Sequence, residues 1–232
     1  MKIIRCAIAC AAALAGLIAA GPSPSIAAPQ LPAGGFAGTP FAAALAERLA
    51  DEGFDREVVE GFLADDRAEV IRTTLAYAIV YRESKADYSR FLDADRIGRA
   101  KSFMERKGDA LAAAEERYGV PAEVITAIIM IESDFGDFRR LHRLFNVFAT
   151  LIWSAEEENF SDVRTVIRKR LPDVDDEKIR TRSRKKAAWG YQQLTVLLRI
   201  AEREAVDPFS IEGSWAGAFG LAQFIPTSYW DY

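Results

Sequence analysis

Cysteine is nearly absent from this chain, and the little there is sits at one end. Cys6 and Cys10 both fall in the opening stretch MKIIRCAIACAAALAGLIAA. That stretch has the form of a secretory signal, with Lys2 and Arg5 as a positive start and an Ala/Leu/Ile-rich run behind them. The run is too short for a comfortable membrane span and leads into Pro and Ser rather than a basic stop-transfer cluster. Ser25-Ile26-Ala27 offers small residues where a signal peptidase reads, so residues 1–27 are expected to be removed by cleavage after Ala27 and the protein to be periplasmic. An uncleaved anchor is the alternative. Cys10 lies too early in the apolar run to act as a lipoprotein acceptor, so no lipid anchor is expected. The remaining chain then has no cysteine, which excludes a disulfide or a thiolate metal site. Histidine is almost as scarce. His142 stands alone, which rules out a histidine-rich metal centre, and a single histidine on a helix is ordinarily a polar surface residue. Neither a metal nor a cofactor is expected.

Excess positive charge is missing too. The formal charge is −4, and loss of Lys2 and Arg5 takes it to −6. A mildly acidic chain of this kind gives no sign of nucleic-acid binding. About 205 residues would remain, ample for one hydrophobic core with a smaller subdomain.

What is present reads as helix almost throughout. Residues 28–40 are Pro/Gly-rich and form a flexible leader. Residues 41–62 carry two short helical patterns, the first with Phe41, Leu45 and Leu49 on one face, the second starting after Gly53. Residues 70–81 are apolar, β-branched and aromatic, and fit a strand or an extended arm. A helix is expected over 97–118 with Phe103, Leu111 and Ala114 inward, and another over 141–153. Residues 154–184 change character, mixing acidic EEE and DVDDE runs with basic RKR and RTRSRKK runs. Charge blocks of this kind ordinarily mark a solvated helix or loop, and a plain helical hairpin is the favoured form. An amphipathic helix returns over 185–203.

The most informative stretch is GVPAEVITAIIMIESDFG, residues 119–136. Pro121 suits a first helical position and Gly136 a C-terminal stop. Between them the run is apolar on every side, so this helix is expected to be buried. Glu132 interrupts it at the end, on the face of Ile128, Ile125 and Pro121. An apolar floor and the negative end of the helix dipole both disfavour the carboxylate and raise its pKa. That is how a carboxylic acid is kept ready to donate a proton near neutral pH. A solvated surface glutamate is the ordinary reading of the same position. Residues 213–229, GSWAGAFGLAQFIPTSY, place Ser214 and Gln223 among glycines and aromatics. This suits a sugar-binding wall or, equally, a helix-packing motif.

YGVPAEVITAIIMIESDFG resembles the Tyr-Gly-Val-Pro helix ending in Glu-Ser/Thr-x-x-Gly of the lytic murein transglycosylases of the membrane-bound lytic transglycosylase B type, glycoside hydrolase family 103. LFNVFATLIW is similar to the Ala-Thr-Leu helix that follows it there. DPFSIEGSWAGAFGLAQFIPTSY is similar to the signature Gly-Ser-x-Ala-Gly-Ala-x-Gly…Gln-Phe-x-Pro-Ser-Ser-Tyr. The resemblance runs from about residue 88 to the C-terminus, broken by the charged segment. It implies a mainly α fold, a goose-type-lysozyme-like catalytic domain over 116–232 with an added N-terminal helical subdomain over 41–115. Glu132 matches the catalytic acid/base, and Ser214 and Gln223 match residues lining the saccharide site. Tyr88 matches a cleft tyrosine after a one-residue gap.

The implied reaction cleaves the β-1,4 bond between N-acetylmuramic acid and N-acetylglucosamine without water and closes a 1,6-anhydro ring, with one carboxylate where ordinary glycosidases use two. Peptidoglycan strands are the implied partner, with cell-wall synthesis or divisome proteins as further candidates. Residues 154–184 read as an insertion relative to shorter members. The chain also reads as truncated, since members continue past the Ser-Tyr motif with a loop that in some binds calcium. DVDDE lacks the turn glycine and ligand spacing of such a loop. A hydrolytic muramidase of the same fold, a wall-binding relative without turnover, and a membrane-anchored helical interaction protein are the competing readings.

Overall fold

The computed structural model describes residues 35–80, 89–137 and 142–232. The expected signal segment, most of the leader and Tyr88 lie outside the described residues. Helix α1, Pro40–Asp51, starts where Thr39 accepts the Ala42 N–H on its side chain, with Pro40 in the first turn. Helix α2, Arg56–Ala64, is capped by Asp55, which accepts the N–H groups of Glu57 and Val58. Helix α3, Arg72–Val80, occupies the stretch that read as strand or arm. Leu75, Ala76 and Ile79 are buried there at helical spacing, and that packing overrides the β-branched content.

The helix expected over 97–118 is two helices, α4 (Ala94–Arg106) and α5 (Gly108–Tyr118). The break is at Lys107, whose φ of −116° and ψ of 16° leave the helical region just before a glycine. Phe103, Leu111 and Ala114 face inward as expected. Helix α5 stops at left-handed Gly119, and α6, Ala122–Ser133, begins after Pro121, which sits one residue ahead of the first turn. Strand β1, His142–Arg143, precedes α7, Leu144–Trp153. The charged segment forms α8, Phe160–Arg168, and the first turns of α9, Asp176–Arg203, a helical hairpin whose second arm is far longer than residues 185–203 suggested. Strand β2, Glu212–Gly213, pairs antiparallel with β1, His142 opposite Gly213. Helix α10, Pro226–Asp231, ends the chain. The described residues thus contain ten α-helices and two strands of two residues each. None of these helices is long and apolar enough to cross a membrane.

The apolar side chains gather in two clusters. The larger joins α1, α2 and α3 to α7, α8 and α9. The smaller joins α4, α5 and α6 through Phe103, Leu111, Ala114, Val120, Ile125 and Ile129, so the expected subdomain boundary near residue 115 falls inside it. Helix α7 is the element buried on every side, from Leu144 to Trp153. Helix α6, expected to be so, is half-exposed: Val124 is 41% and Ile131 44% accessible. It has neighbours on the α4–α5 side, and among the described residues nothing packs on its opposite face, where Val124 and Ile131 lie exposed.

Two polar residues inside α7 make the join between the halves of the larger cluster. Asn146 donates to the Arg67 carbonyl at 2.8 Å and accepts the Glu69 N–H at 3.3 Å. Thr150 accepts the Ile71 N–H at 2.9 Å. These bonds satisfy the backbone that links α2 to α3, which would otherwise lie against an apolar helix without partners. Asn146→Leu should keep the helix but strand those groups, lowering stability by about 1–3 kcal/mol. Urea unfolding with an unchanged m-value would measure that loss, and an unaffected midpoint would show that the pairing contributes nothing.

Candidate active site

Helix α6 ends sooner than its glycine suggests. Asp134 (φ 49°) and Phe135 (φ 63°) both adopt left-handed backbone before Gly136 does. Two consecutive non-glycine residues there are unusual, each costing on the order of 1–3 kcal/mol unless the surroundings hold them. Arg99 of α4 does so. It donates Nη1 to Asp134 Oδ2 and Nη2 to the Asp134 carbonyl, both at 2.9 Å, and lies 3.5 Å from the Asp137 carboxylate. Arg96, one turn earlier, is 4.0 Å from Asp134. Phe135 packs on Phe103 with ring centroids 4.9 Å apart. The turn that follows Glu132 is thus fixed by a guanidinium on one side and an aromatic pair on the other.

Glu132 occupies the last turn of α6, with its side chain open to solvent. Among the described residues it has no hydrogen bond or ion pair. The protein beside it still removes part of its hydration, and this burial raises its pKa above the ordinary carboxylate value. The acidic neighbours Asp134 and Asp137 are engaged by Arg99, which makes neither a free second carboxylate. What remains is one carboxyl group without a fixed partner, disposed to hold its proton.

The chain from β2 to α10 forms the adjoining wall. Ser214 turns it back: its N–H donates to the Ala218 carbonyl at 2.7 Å, and its Oγ accepts the Ala218 N–H at 3.2 Å. Phe219 bridges to both Gly213 and Phe224. Gly217 (φ 86°) has no room for a side chain, since a β-carbon there would lie 2.5 Å from the Phe148 ring of α7. Gln223 has left-handed backbone (φ 50°) and folds its amide onto the Gly220 carbonyl at 2.9 Å. Leu221 reaches within 3.1 Å of where a side chain on Gly136 would begin, and Leu221, Ala222 and Phe135 pack against the same small cluster. The glycine-rich loop therefore abuts the turn that ends the Glu132 helix.

The structure brings the segments of Glu132, Ser214 and Gln223 together through Leu221, while Tyr88 lies outside the described residues. Sequence reasoning missed Arg96 and Arg99. Their signal was present as an i, i+3 pair of arginines on a short helix, matched by Asp134 and Asp137 three apart beyond α6. It also missed Tyr77 of α3, which packs on Trp215 beside Ser214, ring centroids 5.4 Å apart.

Comparison with known proteins gives a consistent picture. A family model described as Transglycosylase SLT domain matches residues 37–232. The chain is 28% identical over 143 residues to membrane-bound lytic murein transglycosylase B of Escherichia coli (strain K12), a match covering 62% of this chain and 32% of that protein. Among solved structures it is similar to the catenated lytic transglycosylase SltB1 of Pseudomonas aeruginosa, at 28% identity and a TM-score of 0.63 over 85% of this chain and 57% of that one. It is also similar to the Escherichia coli lytic transglycosylase Slt35 in complex with bulgecin A, at 25% identity and a TM-score of 0.63 over 85% and 55%. The chain spans about a third of the length of the curated relative and somewhat over half of each of these two structures.

The raised pKa of Glu132 has a thermodynamic consequence. The folded state holds this proton more tightly than the unfolded state, so the group's stabilising contribution is complete below the unfolded pKa and is lost as pH rises through the folded one. Glu132→Gln removes the ionisation and should therefore raise Tm relative to the parent at neutral pH. That advantage should shrink as the pH falls below the carboxylate range. Calorimetry at the two pH values measures it, and a difference independent of pH would mean that the carboxyl is unperturbed.

Proposed function

The chain belongs to the transglycosylase SLT domain family, and on that premise we propose that it is a periplasmic peptidoglycan lytic transglycosylase, exported by a cleaved signal segment. The reading is carried by one observation: among the described residues a lone carboxyl, Glu132, stands without a partner at the end of an apolar helix whose following turn abuts the glycine-rich loop of Ser214 and Gln223. Glu132 in its protonated form donates to the glycosidic oxygen between N-acetylmuramic acid and N-acetylglucosamine as the C1–O bond breaks. The muramoyl 2-acetamido oxygen stabilises the electron-poor C1. Glu132, now a carboxylate, takes the proton of the 6-hydroxyl, whose oxygen closes on C1 to give the 1,6-anhydro ring. The proton lost to the leaving oxygen is replaced by the one from the 6-hydroxyl, so Glu132 ends protonated again and no water is consumed. Ser214, Gln223 and Tyr88 line the saccharide site in this scheme.

A carboxyl with raised pKa suits both halves of this cycle, since it is a better base once ionised and remains an acid at higher pH than an ordinary glutamate. The rate should accordingly fall on the alkaline side as Glu132 ionises in the free enzyme.

Mass spectrometry of soluble products from purified peptidoglycan tests the reading. 1,6-Anhydro-muramic acid ends are expected. Hydrated reducing ends would transfer the assignment to a muramidase of the same fold, and binding without products would make the chain a wall-binding relative. Glu132→Gln should retain glycan binding and lower turnover by on the order of 10²–10⁴-fold, the scale of general acid–base catalysis. Turnover surviving that substitution would remove Glu132 from the mechanism.

A further inference from the structure

The charged segment after α7 carries cations in different settings. Arg164 and Arg168 are paired with Asp176, and Arg180 with Glu157, in exposed ion pairs on the hairpin itself. Arg170, Arg182 and Lys186 have no carboxylate partner among the described residues. They meet aromatic rings and the end of α3 instead. Arg170 lays its guanidinium 4.1 Å from the centroid of the Tyr77 ring, and Tyr77 packs on Trp215, the residue after Ser214. Arg182 donates to the carbonyl of Ile79, two residues beyond Tyr77, at 3.2 Å. Lys186 sits one turn further along α9, its Nζ 5.3 Å from the Trp189 ring centroid. Trp189 in turn lies 3.4 Å from where a side chain on Gly217 would begin. Positions 182, 186 and 189 share one face of α9. On a chain of net negative charge, Arg170 and Lys186, unpaired among the described residues, thus reach rings that pack on the glycine-rich loop, while Arg182 holds the end of α3. Burial, with neighbouring Lys185, holds the Lys186 ammonium below its ordinary pKa, as expected where positive charge is not neutralised.

We propose that Arg170 and Lys186, supported by Arg182 and by the packed ring pair of Tyr77 and Trp215, form a subsite for a saccharide bearing a carboxylate. The ring pair holds the Arg170 guanidinium next to the loop of Ser214. The guanidinium of Arg170 presents its N–H groups as a fork matched to a carboxylate. Arg182 is a positioning residue, since its donated bond holds the end of α3 and with it Tyr77. The inference rests on the peptidoglycan reading, in which carboxylates come from the muramoyl lactyl group or from the peptide attached to it. It gives the charged segment a role in choosing substrate.

The test is equilibrium binding by the full chain carrying Glu132→Gln, so that strands are not consumed. Three soluble probes are compared: peptide-bearing strands, amidase-stripped strands that keep the lactyl carboxylate, and neutral chito-oligosaccharides. Adding Arg170→Ala and Lys186→Ala should weaken binding of carboxylate-bearing strands on the order of tenfold per cation. It should also flatten the salt dependence of that binding. A loss confined to peptide-bearing strands assigns the peptide as the source, and a loss on both kinds of strand assigns the lactyl group. An equal loss on the neutral probe, or none on any, would overturn the subsite. Lys186→Arg, which keeps the charge, should retain the preference, and a melting curve for each variant separates unfolding from lost recognition. A parent chain that binds none of the three probes would instead overturn the peptidoglycan reading itself.

Discussion

A ten-residue helix with no exposed side is the constraint on which the other elements depend. Every residue of α7 is buried, so each neighbour must present a surface that fits it. The N-terminal helices meet it through the linker between α2 and α3, whose backbone would be left without partners had Asn146 and Thr150 been apolar. The long helix α9 meets it on another side, with Trp189 set edge-on against Phe148. The loop beyond β2 meets it at Gly217, where only a hydrogen fits against the same Phe148 ring. Phe148 therefore touches both the scaffold and the wall of the candidate site. Close-packed contacts of this kind transmit displacement, because an interior at crystal-like density does not absorb it.

The second cluster depends on the first in a less obvious way. Helices α4, α5 and α6 have their own small core, and their contact with the glycine-rich loop runs through Phe135, Leu221 and Ala222. That contact needs Phe135 to leave α6 sideways, which its left-handed backbone achieves. Arg99 compensates the strain by holding both the side chain and the carbonyl of the preceding residue. Glu132, two residues before that clamp, inherits a fixed position without being part of it.

Much of this was legible from the residues. The glycine, proline and apolar pattern of residues 119–136 marked a helix ending at Glu132, and the GSWAGAFG stretch marked a close backbone approach. Four features were hidden for physical reasons. Residues 72–80 form a helix although several side chains favour strands, because Leu75, Ala76 and Ile79 are buried against distant partners. The open face of α6 was also illegible. An apolar run states that a surface could be buried and leaves unsaid whether anything covers it, and here Val124 and Ile131 are left exposed. The central place of α7 had the same origin. Two apolar helices of similar length look alike until the chain closes around one of them. Arg99 was missed because its partner lies 35 residues away, so the i, i+3 spacing of Arg96 and Arg99 did not by itself name what they meet.

The separation of Arg99 from Glu132 bears on how one carboxyl could serve as acid and then as base. A guanidinium bonded directly to Glu132 would favour its ionised form throughout and hold its pKa down, which suits neither donation to a leaving oxygen nor the later removal of a proton. Here the arginine is engaged by Asp134 and Asp137, and the shift at Glu132 comes from lost hydration alone. A shift of that origin is adjustable. In the proposed reaction a sugar laid over the carboxyl would remove more water and strengthen its hold on the proton, while positive charge developing at C1 would favour its release. Among the described residues the fixed charge nearest Glu132 thus belongs to the turn that positions its helix, and Glu132 itself is shifted by burial alone.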